Sequence, residues 1–237
     1  MIRFASPVGG RMRGAMLASL LLGLATCGNS AAQSHHEGAP GLTPAAALQR
    51  LVEGNRRFVA GGSSRPDQTA ERRKSLVSGQ KPFATVFGCS DSRVPSELVF
   101  DQGFGDLFVV RVAGNIGGAD DLGSIEYAVI HLNTPLVFVL GHENCGAVTA
   151  ALGADADRAH EASGIQAMLA HVVPSLAGVS RALPATEQVH VGVEANVRRS
   201  VALLRETPEF KSRLASGSLD IVGGVYALDT GKVRLLK

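Results

Sequence analysis

The chain has no basic stripe, and that absence narrows its partners first. Lysine and arginine number 23 against 21 acidic residues, a net charge of +2 in 237 residues. Without a clustered positive face there is no electrostatic footprint for nucleic acid. Long apolar runs are scarce too. Ala15 to Ala25 forms one, but it is shorter than the roughly 20 residues of a comfortable membrane span. No later segment is long enough to cross a bilayer, and no internal repeat of useful strength is present. Tryptophan is absent altogether, and cysteine occurs three times. Cysteine is often a small buried hydrophobe, so one that opens a polar cluster needs its own explanation.

What is present begins with a layout of export. Arg3, Arg11 and Arg13 precede the apolar run, and Ser30 and Ala32 form an A-x-A-like pair before Gln33. That order predicts a secretory signal peptide over 1–32 and a periplasmic or otherwise exported protein. Leu24-Ala25-Thr26-Cys27 also resembles a lipoprotein processing site, with Cys27 as the lipid carrier, although Thr26 fits poorly there. Cleavage after Ala32 removes three arginines and no acidic residue, so part of the basic character belongs to the leader. Residues 33–41 are small and polar and read as a flexible tether. The remainder, 42–237, is long enough for one substantial core and is taken as a single domain.

Thr43 followed by Pro44 marks a helix start, with Leu48, Leu51, Val52 and Phe58 on its apolar face. Phe83 to Gly88, Asp106 to Gly114 and Thr134 to His142 are short apolar runs of strand type. Between them, Asp121 is expected to cap a helix carrying Ile125, Ala128, Val129 and Leu132. Gly146 onward and Glu194 to Glu206 read as further helices, and Leu152 to Gly164 as a solvated loop. The chain closes on two strands around Asp229-Thr230-Gly231. The prediction is an α/β fold: a mostly parallel central sheet, flanking helices and a C-terminal antiparallel hairpin.

The first and third apolar runs stop at "CSDSR" and "HENC". Binding sites of open α/β sheets gather at the carboxyl ends of strands. Cys89, His142 and Cys145 therefore form a candidate Cys2His zinc set, three ligands that leave a fourth position open. Two plainer readings stand beside it: a Cys89–Cys145 disulfide, which an exporting compartment favours, and unpaired core thiols. Asp91 and Arg93 favour the metal. A guanidinium holds a carboxylate in bidentate geometry, and a clamped carboxylate can orient a metal-bound water. As a mere surface ion pair the two would contribute at most about 1 kcal/mol.

Together, "CSDSR" and "GHENCGAV" resemble the β-class carbonic anhydrases. "EGNRRF", "FVVRVAGN", "GSIEYAVIHL", "NVRRSV" and "IVGGVYALDTGKV" extend the likeness, in the family's order, over essentially all of 42–237. The resemblance implies one zinc ion per chain on Cys89, His142 and Cys145. It implies reversible hydration of CO2 to bicarbonate and a proton by way of a zinc-bound hydroxide, with Asp91 and Arg93 as the catalytic dyad. Gln80 falls at the position of a substrate-facing glutamine. Phe108, Ala113 and Tyr127 fall at positions lining the CO2 pocket, with core packing as the plainer alternative. Gly146 falls where a backbone N–H meets substrate. The family builds its site at a dimer interface, which implies a homodimer or a dimer-based assembly.

Two departures matter. Some relatives carry a tryptophan three residues before the first zinc cysteine, within an inhibitory bicarbonate site; Val86 stands there in this chain. Glu143 follows the zinc histidine where a small hydroxyl residue is common. Arg111, at the end of the second strand, is expected to brace the site or the subunit interface rather than to act in catalysis. His131, His160, His171 and His190 are candidate proton carriers only because histidine titrates near neutrality. Two other functions compete with this reading. A cysteine-dependent phosphatase wants Cys-x5-Arg, whereas the spacing here is Cys-x3-Arg, and "AGNIGG" fails the G-x-G-x-x-G spacing of a phosphate loop. An exported binding protein with a structural zinc or a Cys89–Cys145 disulfide is the other.

Overall fold

The computed structural model describes residues 41–237. The expected signal peptide at 1–32, its Cys27, and all of the tether except Gly41 lie outside the described residues. Nine α-helices and five strands are present among those described. The strands are β1 (Ala84–Gly88), β2 (Leu107–Arg111), β3 (Leu136–His142), β4 (Asp220–Tyr226) and β5 (Val233–Leu236). The helices are α1 (Pro44–Val59), α2 (Ala70–Ser75), α3 (Ser96–Val99), α4 (Ala119–Ile130), α5 (Gly146–Leu152), α6 (Asp155–Ala159), α7 (Ser163–Val172), α8 (Ala185–Arg205) and α9 (Lys211–Ala215). No helix among the described residues is long and apolar enough to cross a membrane.

The sheet runs β2-β1-β3-β4-β5. β1, β2, β3 and β4 pair in parallel, and β5 returns antiparallel on β4. The predicted fold and hairpin are therefore both present. From β1 the chain first adds β2 on one side and then β3 on the other. That reversal makes β1 and β3 a topological switch point, and ligands of open sheets bind outside the strand ends there.

Strand alternation divides the core in two. Phe87, Val137 and Val139 face one side, with α7 and α8 residues Leu169, Val172, Val193 and Val197. Ala84, Val86, Leu136, Phe138 and Leu140 face the other, against Ala47 and Leu51 of α1 and Val99 of α3. Successive strand side chains point to opposite faces, so these buried runs read as continuously apolar. On the first face α8 lies very close to the sheet. A Cβ at Gly141 or Gly223 would come within 2.5 Å of Val197 side-chain atoms. Glycine at both positions lets the helix settle over β3 and β4.

Several elements depart from the sequence expectation. Thr43 does cap α1, its Oγ1 accepting the Ala46 N–H at 3.2 Å. Val52, however, is 45% exposed, because the inward face is set by Ala47, Leu51 and Asn55. Asp121 is not the N-cap of α4 but its third residue, and its carboxylate accepts the N–H of the capping Gly118. Leu132 lies beyond the helix end. The segment 152–164 holds the short helix α6 and the start of α7. α8 begins at Ala185, well before Glu194. Its first turns carry β-branched Thr186, Val189, Val191 and Val193, which weaken helix propensity and hide the helix from a sequence reading.

Two buried polar side chains fasten α1 to the rest. Asn55 donates to the carbonyls of Val99 and Gly231 and accepts the Val233 N–H, joining α1, α3 and the hairpin. Asp101 accepts from Arg57 Nε at 2.6 Å, from Ser64 N–H and hydroxyl, and from Arg65 N–H. Burial alone would raise its pKa; Arg57 and the Ser64 and Arg65 donors outweigh that and hold it down to about 2. Its folded value lies below the ordinary one of 3.8. The stabilisation is therefore present above about pH 4 and lost as pH falls through about 2. Asp101 has φ +47, a conformation asparagine tolerates, so Asp101→Asn tests the charge with little backbone strain. At pH 7 it is expected to cost about 2 kcal/mol in urea unfolding. The difference from wild type should shrink between about pH 4 and pH 2, and a gap independent of pH would contradict this assignment.

Candidate metal centre

Cys89 follows the last residue of β1, and His142 is the last residue of β3. Gly88 of β1 pairs with Leu140 of β3, so the two strands deliver these side chains to one sheet edge. Cys145 is the N-cap of α5, one short turn later. Asn144 takes φ +51 to make that turn. The ligand atoms of Cys89, His142 and Cys145 all lie within 4.8 Å of one another, and all three residues are buried. No other such metal-ready cluster of three occurs among the described residues.

The donor chemistry suits zinc. His142 is 0% exposed. Its Nδ1 sits 2.8 Å from the Glu143 carbonyl, which only accepts, so Nδ1 carries the proton of the neutral ring. Nε2 is left with a lone pair, buried, and without a hydrogen-bond partner among the described residues. Cys89 and Cys145 are free thiols, which sets the disulfide reading aside. The Cys89 pKa is lowered, chiefly by a hydrogen bond from the Cys145 thiol and, against burial, by the Gly114 N–H. That of Cys145 is raised, because its proton is held toward the Cys89 sulfur and because it is buried. Two buried sulfurs and an imidazole lone pair thus converge on one point, which suits a divalent cation. Two thiolates and an imidazole are a zinc donor set with an open fourth position.

Asp91 borders this cluster. Its Oδ2 lies 3.8 Å from His142 Nε2. Arg93 grips it bidentately, Nε to Oδ1 at 2.9 Å and Nη2 to Oδ2 at 2.7 Å, while the Arg93 N–H also donates to Oδ1 at 2.9 Å. The Arg93 guanidinium holds the Asp91 carboxyl well below the usual carboxylate range. Asp91 is therefore an ionised acceptor throughout the neutral range.

The loops that carry these groups are braced from behind. Arg111, at the end of β2, donates to the Cys89 carbonyl at 2.9 Å and to the Asp91 carbonyl at 2.6 Å. Gly114 N–H points to Cys89 Sγ at 3.3 Å. The 114–115 backbone is held in turn by α8, where Asn196 donates to Gly114 O and Ser200 to Asn115 O. Sequence reading missed Asn196 and Ser200. Their signal was present: two polar residues at i and i+4 on the apolar face of a helix.

The remaining expected residues divide by position. Ala113 lies between Val112, whose carbonyl takes the Ser90 N–H, and Gly114, so it stands beside the Cys89 loop. Gly146 opens α5 next to Cys145. Phe108 is the second residue of edge strand β2, three register positions back from Arg111. Its ring is 6.2 Å from that of Tyr127 on α4, and Tyr127 is 48% exposed. Gln80 is exposed and precedes the amino end of β1, whereas Cys89 follows its carboxyl end.

Comparison with known proteins agrees with this geometry. A family model described as carbonic anhydrase matches residues 84–233. Carbonic anhydrase 2 of Mycobacterium tuberculosis is 46% identical over 202 residues, covering 83% of this chain and 94% of that protein. The carbonic anhydrase of Mycolicibacterium smegmatis is 45% identical over 203 residues, covering 83% and 95%. Among solved structures, the β-carbonic anhydrase CcaA superposes with TM-score 0.66 at 29% identity, covering 80% of this chain and 87% of that one. The Coccomyxa β-carbonic anhydrase gives 0.64 at 29% identity, covering 80% and 86%. The chain belongs to the carbonic anhydrase family, and within it to the β class.

The donor set leads to a direct measurement. Purified protein is expected to hold about one zinc per chain, as a three-ligand site requires. Cys89→Ser and Cys145→Ser should each lose it on dialysis and unfold more readily, because metal affinity is coupled to folding. Full zinc occupancy in both variants, by elemental analysis, would remove these residues from the ligand set.

Proposed function

We propose that this protein is a zinc-dependent carbonic anhydrase, interconverting CO2 and bicarbonate, with Asp91 and Arg93 as its working dyad. The observation that carries this reading is the buried Cys-His-Cys cluster with an arginine-clamped carboxylate at its rim. When bound, zinc supplies a Lewis acid that lowers the pKa of water from about 15.7 to about 7. Cys89, His142 and Cys145 hold it. Asp91 Oδ2 faces the cluster as a hydrogen-bond acceptor and orients the attacking water. Arg93 keeps that carboxylate ionised and aimed. Ala113 contributes apolar surface for CO2, and the Gly146 N–H meets the bicarbonate oxygens.

The pocket is completed by a second subunit in this reading. Phe108 and Tyr127 pair across β2 and α4, where Tyr127 and Ile130 are exposed, and Gln80 is exposed ahead of the amino end of β1. A homodimer built on the β2–α4 side, alone or within a larger assembly, lets them serve the partner's site. Residues 1–32 direct export to the periplasm; lipid attachment at Cys27 is the lesser reading because Thr26 suits it poorly.

Stopped-flow CO2 hydration tests the core of this. Activity is expected in the zinc-loaded protein, lost on chelation and regained with zinc; a zinc-replete but inert protein would refute it. Asp91→Asn and Arg93→Ala should keep zinc and lose on the order of 10²-fold in rate, the usual range for a positioned acid–base group. Wild-type rates in both would reject the dyad. For assembly and export, sedimentation should show no stable monomer, and a reporter fused to residues 1–32 should reach the periplasm of a Gram-negative host. A monomeric active enzyme or a cytosolic reporter would overturn the respective statement.

A further inference from the structure

Residues 143–144 present two carbonyls to the site. The Glu143 carbonyl takes the Nδ1 proton of His142 at 2.8 Å. The Asn144 carbonyl faces Arg93 Nη2 at 3.4 Å. One short loop therefore orients both a metal ligand and the arginine of the dyad. Its own position needs an explanation, because its far side is not packed. A cavity of about 270 Å³ lies there, lined by Glu143, Asn144, Val189, His190 and Val193 among others.

The restraint comes from the hairpin. Glu143 N–H donates to the Tyr226 carbonyl at 3.0 Å, extending the β3–β4 ladder past His142. The Glu143 side chain then reaches further along the same chain, and its Oε2 accepts the Leu228 N–H at 3.1 Å. The backbone bond is open to any residue at this position. The side-chain bond requires an acceptor of glutamate length. A serine or threonine side chain would have no such reach.

We infer that the Glu143 side chain is a positioning residue: by accepting the Leu228 N–H it ties the β4–β5 hairpin to the loop that orients His142 and Arg93. The inference rests on the zinc assignment above. It places a control of metal retention outside the ligands themselves. Partners that orient a metal-bound histidine commonly shift metal affinity or activity by about 10–100-fold when lost. Glu143 acts one bond further out, so the low end of that range is expected.

The test is the rate at which zinc-loaded protein releases metal to a chromophoric chelator, read beside the thermal midpoint. Glu143→Ala and Glu143→Asp should release zinc about tenfold faster, the second because the shorter side chain loses reach. If the alanine variant does not fold, the aspartate variant carries the test alone. Glu143→Gln keeps an acceptor oxygen at the same length and should stay within about twofold of wild type. Glu194→Ala, which removes the exposed Arg234 ion pair between α8 and β5 but leaves the Glu143–Leu228 bond in place, should lower the thermal midpoint without accelerating release. Wild-type release rates in the aspartate and alanine variants would overturn the inference. So would a glutamine variant as leaky as aspartate, or a Glu194 variant as leaky as either. Wild-type protein that binds no zinc would overturn the zinc assignment as well, and that outcome is read before any variant is made.

Discussion

Nε2 of His142 is wholly buried beside two thiols and has no hydrogen-bond partner among the described residues. A buried polar atom left unpaired costs on the order of 1–3 kcal/mol. Here it stands next to two buried sulfurs, so three electron-pair donors converge on one point. Zinc relieves all three at once, and its binding energy becomes folding energy. This local frustration also fixes the topology the chain must adopt. Cys89 and His142 are far apart in sequence and meet only where β1 and β3 are neighbours in parallel register. The β2-β1-β3 order provides that meeting at the one place in the sheet where strand order reverses.

Around the donors, backbone groups do the orienting. The Glu143 carbonyl sets the tautomer of His142. The Gly114 N–H favours the Cys89 thiolate. Arg111 pins the carbonyls on either side of the "CSD" turn. Each is a hydrogen bond to or from main chain, so each depends on loops being held rather than on a side chain being present. Asn196, Ser200 and Glu143 hold them. The site is stiff because loops from four strands are fastened to one another and to α8, with only a few charged groups involved.

That construction explains what the sequence disclosed. Cys89, His142 and Cys145 were legible because ligand types ended apolar runs, and strand ends are where an open sheet places its chemistry. Asp91 and Arg93 were legible because two residues of separation let one turn bring carboxylate and guanidinium together. The parallel sheet and the C-terminal hairpin followed from run length and turn residues. The strand order did not, since nothing in a run of valines says which neighbour it takes. Val52 was misplaced because helical spacing alone cannot distinguish two adjacent faces, whereas Gly54 and Asn55 chose the inner one by fitting closely and bonding. The first half of α8 was hidden by its valines. Glu143 was noticed, but its role could not be signed until Leu228, 85 residues onward, was seen to donate to it.

The distribution of the remaining pocket residues carries a physical consequence. Cys89, Asp91, Arg93, Ala113 and Gly146 gather at the carboxyl edge of the sheet, while Phe108 and Tyr127 pair across β2 and α4 and Gln80 precedes β1. β2 is an edge strand, and exposed edges and large exposed apolar side chains favour association. On the proposed reading, covering that side with a second copy removes Tyr127 from water and brings an apolar wall to the neighbouring zinc site. An apolar wall is what CO2 needs: an uncharged molecule gains little from polar groups, and water competing for the same space would be excluded. Association and substrate binding then draw on the same buried surface, so whatever separates the subunits should open the pocket before it disturbs the metal.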